Sequence, residues 1–410
     1  SRSILKLPPP RNHHKSQCFQ KMSIVINNRD GWQRVHPSQL VNENLDTGAP
    51  GRVAFIGYGG ANSAVAERAR AFARHISKHK TRIAYRSPRK VTSIFTFLWF
   101  LLRTHPSVTY VLDISYSGVV AAALYRLAIG NRLVIDSGDA ITELARSMGR
   151  GRVGLLLTSL LERFALRVAD KIIVRGSFHR ELLARAHIDA EVVQDGVDVS
   201  TFAAEDVRDL RKQNGIEDVL TIGLVGSSVW SEKLQMCYGW ELIETIRLLK
   251  DKPVKGVIIG GGSGIPHLKA RCREYGIEDR VFFLDHLPFE ELPRYLSPID
   301  VCLSTQTNDV VGNVRTTGKL PLYLATERFI LASKTGEAAR VLPPEMLVDY
   351  DGVKDERYPP KLAARIQSIL ASPGILSARE NNRALARQHF DYPLLAQRAE
   401  RVIAKVLKAV

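Results

Sequence analysis

The chain has 410 residues, 45% hydrophobic and 24% charged, with a formal net charge of +16. That is the composition of a soluble globular protein with room for two domains of ordinary size. No apolar run reaches the roughly 18–20 residues needed to span a bilayer; the nearest is SIFTFLWFLL at 93–102, and the N-terminus lacks the unbroken apolar core of a secretory signal.

Cys18, Cys237, Cys272 and Cys302 are scattered and form no C-x-x-C pair. This argues against structural zinc or a disulfide framework and favours a reducing compartment. Charge is uneven: residues 1–200 carry 29 Lys+Arg against 15 Asp+Glu (+14), and residues 201–410 carry 29 against 27 (+2). A basic first half suits an acidic membrane face, a phosphate-bearing acceptor or nucleic acid, or is simply a solvated surface. Aromatic and basic residues are not interleaved as in nucleic-acid modules, so no nucleic acid is expected.

Residues 1–50 are polar, contain Pro8-Pro9-Pro10 and show no sustained period. They read as a tail or loose cap rather than a fold element, and Met22 is a candidate natural start. From Arg52 short β-branched runs alternate with helical stretches: VAFIG (53–57), RIAY (82–85), VTYVLD (108–113), LVID (133–136), KIIV (171–174) and EVVQ (191–194). The runs are continuously apolar, as expected of a parallel sheet covered on both faces. A second series follows: TIGLVG (221–226), GVIIGGG (256–262), RVFFLD (280–285), DVCLST (300–305), RFILAS (328–333) and MLVDY (346–350).

Two such series imply an α/β protein of two facing, Rossmann-like, doubly wound parallel sheets. The expected division is an extension at 1–50, a first domain at 51–197, a second at 198–385, and a basic amphipathic helical end at 386–410. That end is expected to pack back on the first domain, the alternative being a membrane surface.

Open α/β sheets bind ligands beyond the carboxyl ends of their strands. In FIGYGGANSAVAERAR, Gly57, Gly59 and Gly60 lie between a strand and a helix, where backbone approaches a ligand closely and helix N–H groups favour an anion; the alternative is a plain tight turn. The spacing is not G-x-G-x-x-G, and the next strand ends at Arg86 rather than an acid, so a dinucleotide site is not supported. In LVIDSGDAITELARS, Asp136 and Asp139 flank a strand end and face the expected cleft. Two readings stand: carboxylates that orient acceptor hydroxyls or act as base, or helix-capping groups, with Asp139 well placed as an N-cap.

In GLVGSSVWSEK, Ser227, Ser228 and Lys233 suit a phosphate. Gly260, Gly261, Gly262 and Gly264 close the next strand, a common feature of such folds, and Gly261 and Gly262 are the candidates there for binding substrate. The most informative segment is STQTNDVVGNVRTTGKLPLYLA, where Arg315, Thr316, Thr317 and Lys319 lead into a helix. Guanidinium, ammonium and free N–H groups there converge on a diphosphate whose growing charge they neutralise as it departs.

These strings resemble family-four glycosyltransferases of the GT-B fold. The resemblance is carried by QDGVDVSTF, GLVGSSVWSEK, VIIGGGSGIPHLKARCREYGIEDRVFFLDHLPFEELPRYLSPIDVCLST and RTTGKLPLYLATERFILASKTGEAARVL. It is carried more loosely by GYGGANSAVAERARAFA and LERFALRVADKIIVRGSFHRELL, and it spans about residues 52–405.

The resemblance implies transfer of a sugar from a UDP- or GDP-linked donor, with retention, to a glycan or lipid-linked acceptor in cell-envelope or exopolysaccharide synthesis. It implies no metal or other cofactor, Lys233, Arg315 and Lys319 neutralising the diphosphate. Gly59 and Gly60 would lie near donor phosphates or acceptor, and His286 and Leu287 near the base. The expected location is cytoplasmic, peripheral at the inner face of the membrane. Three departures stand out: Val314 and Leu322 where the family has two glutamates eight apart, Ser227 in place of an arginine, and no histidine near SGD. A sugar-nucleotide epimerase of the same fold and a catalytically silent partner protein are the alternative readings.

Overall fold

The computed structural model describes residues 24–28, 31–35, 41–45, 51–60, 63–86, 92–213, 216–316 and 318–408. The first sheet contains β3 (Val41–Leu45), β4 (Arg52–Gly57), β5 (Lys80–Tyr85), β6 (Val108–Leu112), β7 (Arg132–Ser137), β8 (Lys171–Val174) and β9 (Ala190–Val192). Their order is β3-β5-β4-β6-β7-β8-β9. All pairings are parallel except that of β3 with β5. A separate antiparallel hairpin joins β1 (Ile24–Asn28) to β2 (Gly31–Val35).

This corrects the reading of residues 1–50 as carrying no fold element. Val41↔Ala84 and Asn42↔Ile83 make β3 an edge strand of the sheet. Its sequence VNENL is too polar to announce a strand, because an edge strand needs apolar residues on one face at most.

The second sheet has the order β12-β11-β10-β13-β14-β15. It is formed by β10 (Leu220–Val225), β11 (Val254–Ile259), β12 (Val281–Leu284), β13 (Val301–Ser304), β14 (Phe329–Ser333) and β15 (Leu347–Val348), all paired parallel. Both sheets reverse direction beside their first parallel strand, β4 and β10, so each has a crevice at that strand's carboxyl end. The continuous apolar runs follow from burial on both faces; β6 and β14 are buried at every position.

Helices Thr92–Thr104, Tyr116–Ile129 and Arg152–Val168 cover one face of the first sheet through Phe97, Phe100, Val119, Tyr125, Leu161 and Ala165. Helix Ala64–His75 and the C-terminal helix Tyr392–Lys408 cover the other. Phe72 meets Tyr392 edge-on at 6.2 Å, and Glu400 accepts the Lys78 N–H at 2.8 Å, so the chain's last helix belongs to the first sheet's packing.

The first domain also buries a polar cluster. Arg68, 1% exposed, donates to Asp136 (2.9 Å) and to the carbonyl of Val193 (2.8 Å). Tyr110 Oη donates to Asp136 at 2.8 Å, and Arg175 reaches Asp113 (2.6 Å), Asp136 (3.3 Å) and Asp195 (3.6 Å). The Asp136 carboxyl is pushed up by burial, but Arg68 and Arg175 outweigh that and hold it below the ordinary carboxylate range.

Removing one partner of a buried pair strands the other's charge. R68A should therefore cost about 3 kcal/mol of unfolding free energy. R247A, which breaks the exposed pair with Glu244, should cost within about 0.5 kcal/mol. Denaturant titration of the two variants checks this; equal losses would show that Asp136 does not depend on Arg68.

Candidate active site

The carboxyl ends of β10 and β11 interlock. Gly226, Gly260 and Gly262 all have positive φ (+153°, +129° and +135°). A β-carbon on Gly260 would lie 2.2 Å from the Gly226 carbonyl oxygen, and one on Gly262 2.3 Å from that of Ser228. Ser228 N–H donates to Gly261 O (2.9 Å), and Gly264 N–H donates to Ser228 O (2.7 Å). The glycine run thus lets two turns pack backbone to backbone, and Gly261 and Gly262 form the rim itself. Ser228 is buried, its hydroxyl donating to Tyr238 O at 2.8 Å; Ser227 is exposed.

Lys319 begins helix Lys319–Ala325 and reaches back to this rim. Its Nζ lies 3.4 Å from the centre of the Tyr238 ring and 3.8 Å from a β-carbon placed on Gly226. Burial pushes the ammonium down to about 7; Glu241 opposes that shift and Arg315 adds to it. Glu241, 4% exposed and with Oε2 unpaired among the described residues, is pushed up to about 7 by the same burial. Lysine and glutamate thus share a desolvated site behind the turn of β10.

Arg315, half-exposed, crosses the cleft: its Nε donates to Asp139 Oδ1 at 2.9 Å. Beside it Thr316 donates to the backbone carbonyl of Arg175 at 2.7 Å. Glu337 accepts the N–H of Ser177, the first residue of helix Ser177–Arg185, and Arg340 pairs with Glu181 at 2.8 Å. Thr316 thus seats the loop after β13 on the end of β8, and Glu337 and Arg340 seat the segment after β14 on the helix that follows β8. On the first domain's side a cavity of about 530 Å³ lies beyond β4, β6 and β7, with Tyr58, Arg86, Asp113, Tyr116, Asp139 and Arg150 in its wall. Arg86 stacks over Tyr58 at 4.4 Å.

The structure therefore brings Asp139, Arg315 and Thr316 together, with Lys319 four residues on at the rim; Thr317 lies outside the described residues. Three readings need correction. Asp136 does not face the cleft: it is 0% exposed and engaged by Arg68, Arg175 and Tyr110, which makes it a positioning residue for the strand ends. Asp139 does not cap the following helix, Ile141–Ser147, whose N-cap is Ala140. Glu162 accepts the free N–H groups of Ile141 (2.9 Å) and Thr142 (3.2 Å) instead, leaving Asp139 for Arg315. Lys233 stands exposed in the turn bounded by the Ser231↔Met236 bridge, and among the described residues nothing joins it to Lys319 or Arg315.

Gly59 and Gly60 shape the turn after β4. Gly60 O accepts from Ser63 N–H (3.0 Å) and hydroxyl (2.8 Å), and a β-carbon on Gly59 would lie 2.2 Å from that hydroxyl. His286 is exposed after β12, and Leu287 packs against the second core. Val314 and Leu322 are 1% and 6% exposed, and Leu322 packs in the second domain's apolar core.

Sequence reasoning missed Arg175, Glu241, Glu337 and His179. His179 is buried, with Nδ1 unpartnered among the described residues, and burial pushes it down to about 4, so it is neutral. Charged residues inside otherwise apolar helical spacing, as in WELIETIRLLK, are the available signal for Glu241.

No protein-family model matches the chain. Over 168 residues it is 29% identical to 2-deoxystreptamine glucosyltransferase of Streptomyces kanamyceticus, a match covering 38% of this chain and 42% of that enzyme. The chain thus spans less than half the length of that relative. Among solved structures it resembles sucrose-phosphate synthase from Thermosynechococcus elongatus, with a TM-score of 0.68, 16% identity, 88% of this chain and 100% of that one covered. It also resembles Anabaena HepE in complex with UDP-glucose, with a TM-score of 0.68, 15% identity and coverage of 87% and 100%. Two facing Rossmann-like domains with a cleft at their strand ends, shared with these proteins over nearly their whole length, give this chain the GT-B fold of glycosyltransferases.

Proposed function

We propose that the protein is a glycosyltransferase that takes a sugar from a UDP-linked donor and passes it, with retention, to a glycan or lipid-linked acceptor of the cell envelope. The observation that carries this is the pairing of Arg315 with Asp139 across the cleft, next to Lys319 on the interlocked glycine turns. The UDP and UDP-glucose complexes of HepE and the matched glucosyltransferase segment support the donor.

In this reading the diphosphate lies on the rim of β10 and β11. Arg315 leaves Asp139 to bind it, and Lys319, protonated as the diphosphate binds, takes a share of its growing charge while the bond from the sugar carbon to the phosphate oxygen breaks; the acceptor oxygen bonds to that carbon and its proton passes to the departing phosphate. Asp139, thus released, sits in the wall of the first domain's cavity and orients the acceptor hydroxyl. These two cations, not a metal ion, neutralise the leaving group. The basic first half supports work at the inner face of the cell membrane.

Calorimetry with UDP and GDP, followed by product analysis with UDP-sugars and acceptors, tests the reading. R315A and K319A should each weaken UDP binding about tenfold or more, a charged contact being worth about 1.5–3 kcal/mol. If neither nucleotide binds the wild type, the reading fails; sugar conversion without any acceptor would make the protein an epimerase. Turnover should survive EDTA, and its loss would refute the metal-free assignment. D139N should lower kcat while leaving UDP affinity equal or higher, since Arg315 loses a competitor.

The pH dependence has a definite sign. Lys319 titrates near 7 in the free protein, so above that pH binding of a diphosphate must take up a proton. UDP affinity should fall as pH rises from about 6 to about 9, by up to about tenfold per unit, less where Glu241 ionises and supports the ammonium. K319M should remove most of this slope, and a slope equal to that of the wild type would exclude Lys319 as its source.

A further inference from the structure

Exposed apolar side chains are concentrated on one face of the first domain. Thirteen of the seventeen large hydrophobic residues exposed among the described residues lie between Phe95 and Phe164. Twelve of them stand on the three helices whose inner sides pack on the sheet; the thirteenth, Met148, ends helix Ile141–Ser147. Helix Thr92–Thr104 shows Phe95, Trp99 and Leu102 outward; helix Tyr116–Ile129 shows Leu127, 86% exposed. On helix Arg152–Val168, Val153, Leu156, Leu157, Leu160 and Phe164 recur at i, i+3, i+4, i+7 and i+11, all at least 46% exposed. That helix is apolar on both sides, because Thr158, Leu161 and Ala165 face the core. Soluble monomers do not ordinarily display so contiguous an apolar face, and one of this kind marks an interaction surface.

The charges around the face select its occupant. Arg103, Arg152, Arg163 and Arg167 have no carboxylate within ion-pair distance among the described residues, and all four are exposed. The neighbouring acids are already engaged: Glu143 with Arg146, Asp170 with Arg126, and Glu162 with the helix start at Ile141. An isologous dimer through this face would set these arginines against their own copies with no acids between them. An apolar face with cations at its margin instead fits the headgroup boundary of an anionic bilayer.

We propose that this three-helix face is a membrane-docking surface that lies on anionic lipid, its leucines and aromatic residues entering the interface and its arginines meeting phosphate. Tyr116 and Met148 belong both to the exposed apolar residues and to the wall of the 530 Å³ cavity. The docked face therefore runs into the cavity. If the glycosyltransferase reading holds, an acceptor whose apolar part stays in the bilayer enters there. The docking itself does not depend on that reading.

The test uses the full chain without nucleotide. It should co-sediment with vesicles of two parts phosphatidylcholine to one part phosphatidylglycerol, and much less with phosphatidylcholine alone. L156S/L160S should lower partitioning about tenfold per leucine. R163Q/R167Q should lower it about fivefold per arginine, and high salt should weaken the wild type to a similar extent. Unchanged far-UV circular dichroism and melting show that the variants fold. Brominated-chain lipid should quench wild-type tryptophan fluorescence more than that of W99F, a readout that needs no variant at the leucines. A chain that ignores both vesicles, variants that bind as the wild type does, or a solution dimer dissolved by L156S/L160S would overturn the proposal. Vesicle binding with no affinity for UDP would uphold it and sink the proposed activity instead.

Discussion

The structure turns on Arg175. Its guanidinium, at the end of β8, is shared among Asp113, Asp136 and Asp195, and its backbone carbonyl receives the hydroxyl of Thr316 from the second domain. Burial alone would drive the guanidinium's pKa down, but the surrounding carboxylates push it well above the ordinary value, so it stays charged. A group fixed so firmly on one side gives the loop after β13 a rigid seat on the other. Arg315 is thereby held at the cleft, one residue from Thr316, where it meets Asp139.

The same logic accounts for the division of labour between the two aspartates. Asp136 and Asp139 are three residues apart at one strand end, yet one is wholly buried and the other about one-third exposed. Asp136 lies on β7, where a carboxylate can exist only if cations follow it inside; Arg68 and Arg175 do. Asp139 lies past the turn, where solvent and the Arg315 guanidinium of the second domain are available. Glu162 relieves it of the capping role that its position suggests.

The architecture was legible because burial on both faces writes itself into sequence as continuous apolar runs. All six runs read in each half coincide with strands, from Val53–Gly57 in β4 to Leu347–Val348 in β15. β3 was not legible, because its polar residues carry no signal and its pairing is set by β5 alone. Of the site, Arg315, Thr316 and Lys319 could be read from their place at a helix start after a strand. Lys233 shared that place, but the turn bounded by Ser231 and Met236 carries it outward. The glycines of IIGGGSG looked like a ligand loop, yet their positive φ values answer first to the carbonyls of Gly226 and Ser228. Long-range partners such as Glu337 on Ser177, 160 residues apart, leave no local trace at all.

Lys319 and Glu241 show what a desolvated pair makes possible at such a rim. In water the two groups titrate about six units apart, and both ionise at neutral pH. Here burial brings both near 7, so the ion pair and the neutral pair lie close in free energy. A diphosphate arriving beside Lys319 adds negative charge on one side and tips the balance toward the ammonium. Its departure as nucleotide product removes that charge again. The cation is thus strongest when the ligand carries most charge and weakest when the rim is empty. A lysine kept fully charged would bind donor and product with less discrimination. The apolar pair Val314 and Leu322, standing where the resembling family has glutamates, leaves Lys319 at this helix start and Arg315 at the end of the preceding helix as the charged groups of the segment Val314–Leu322.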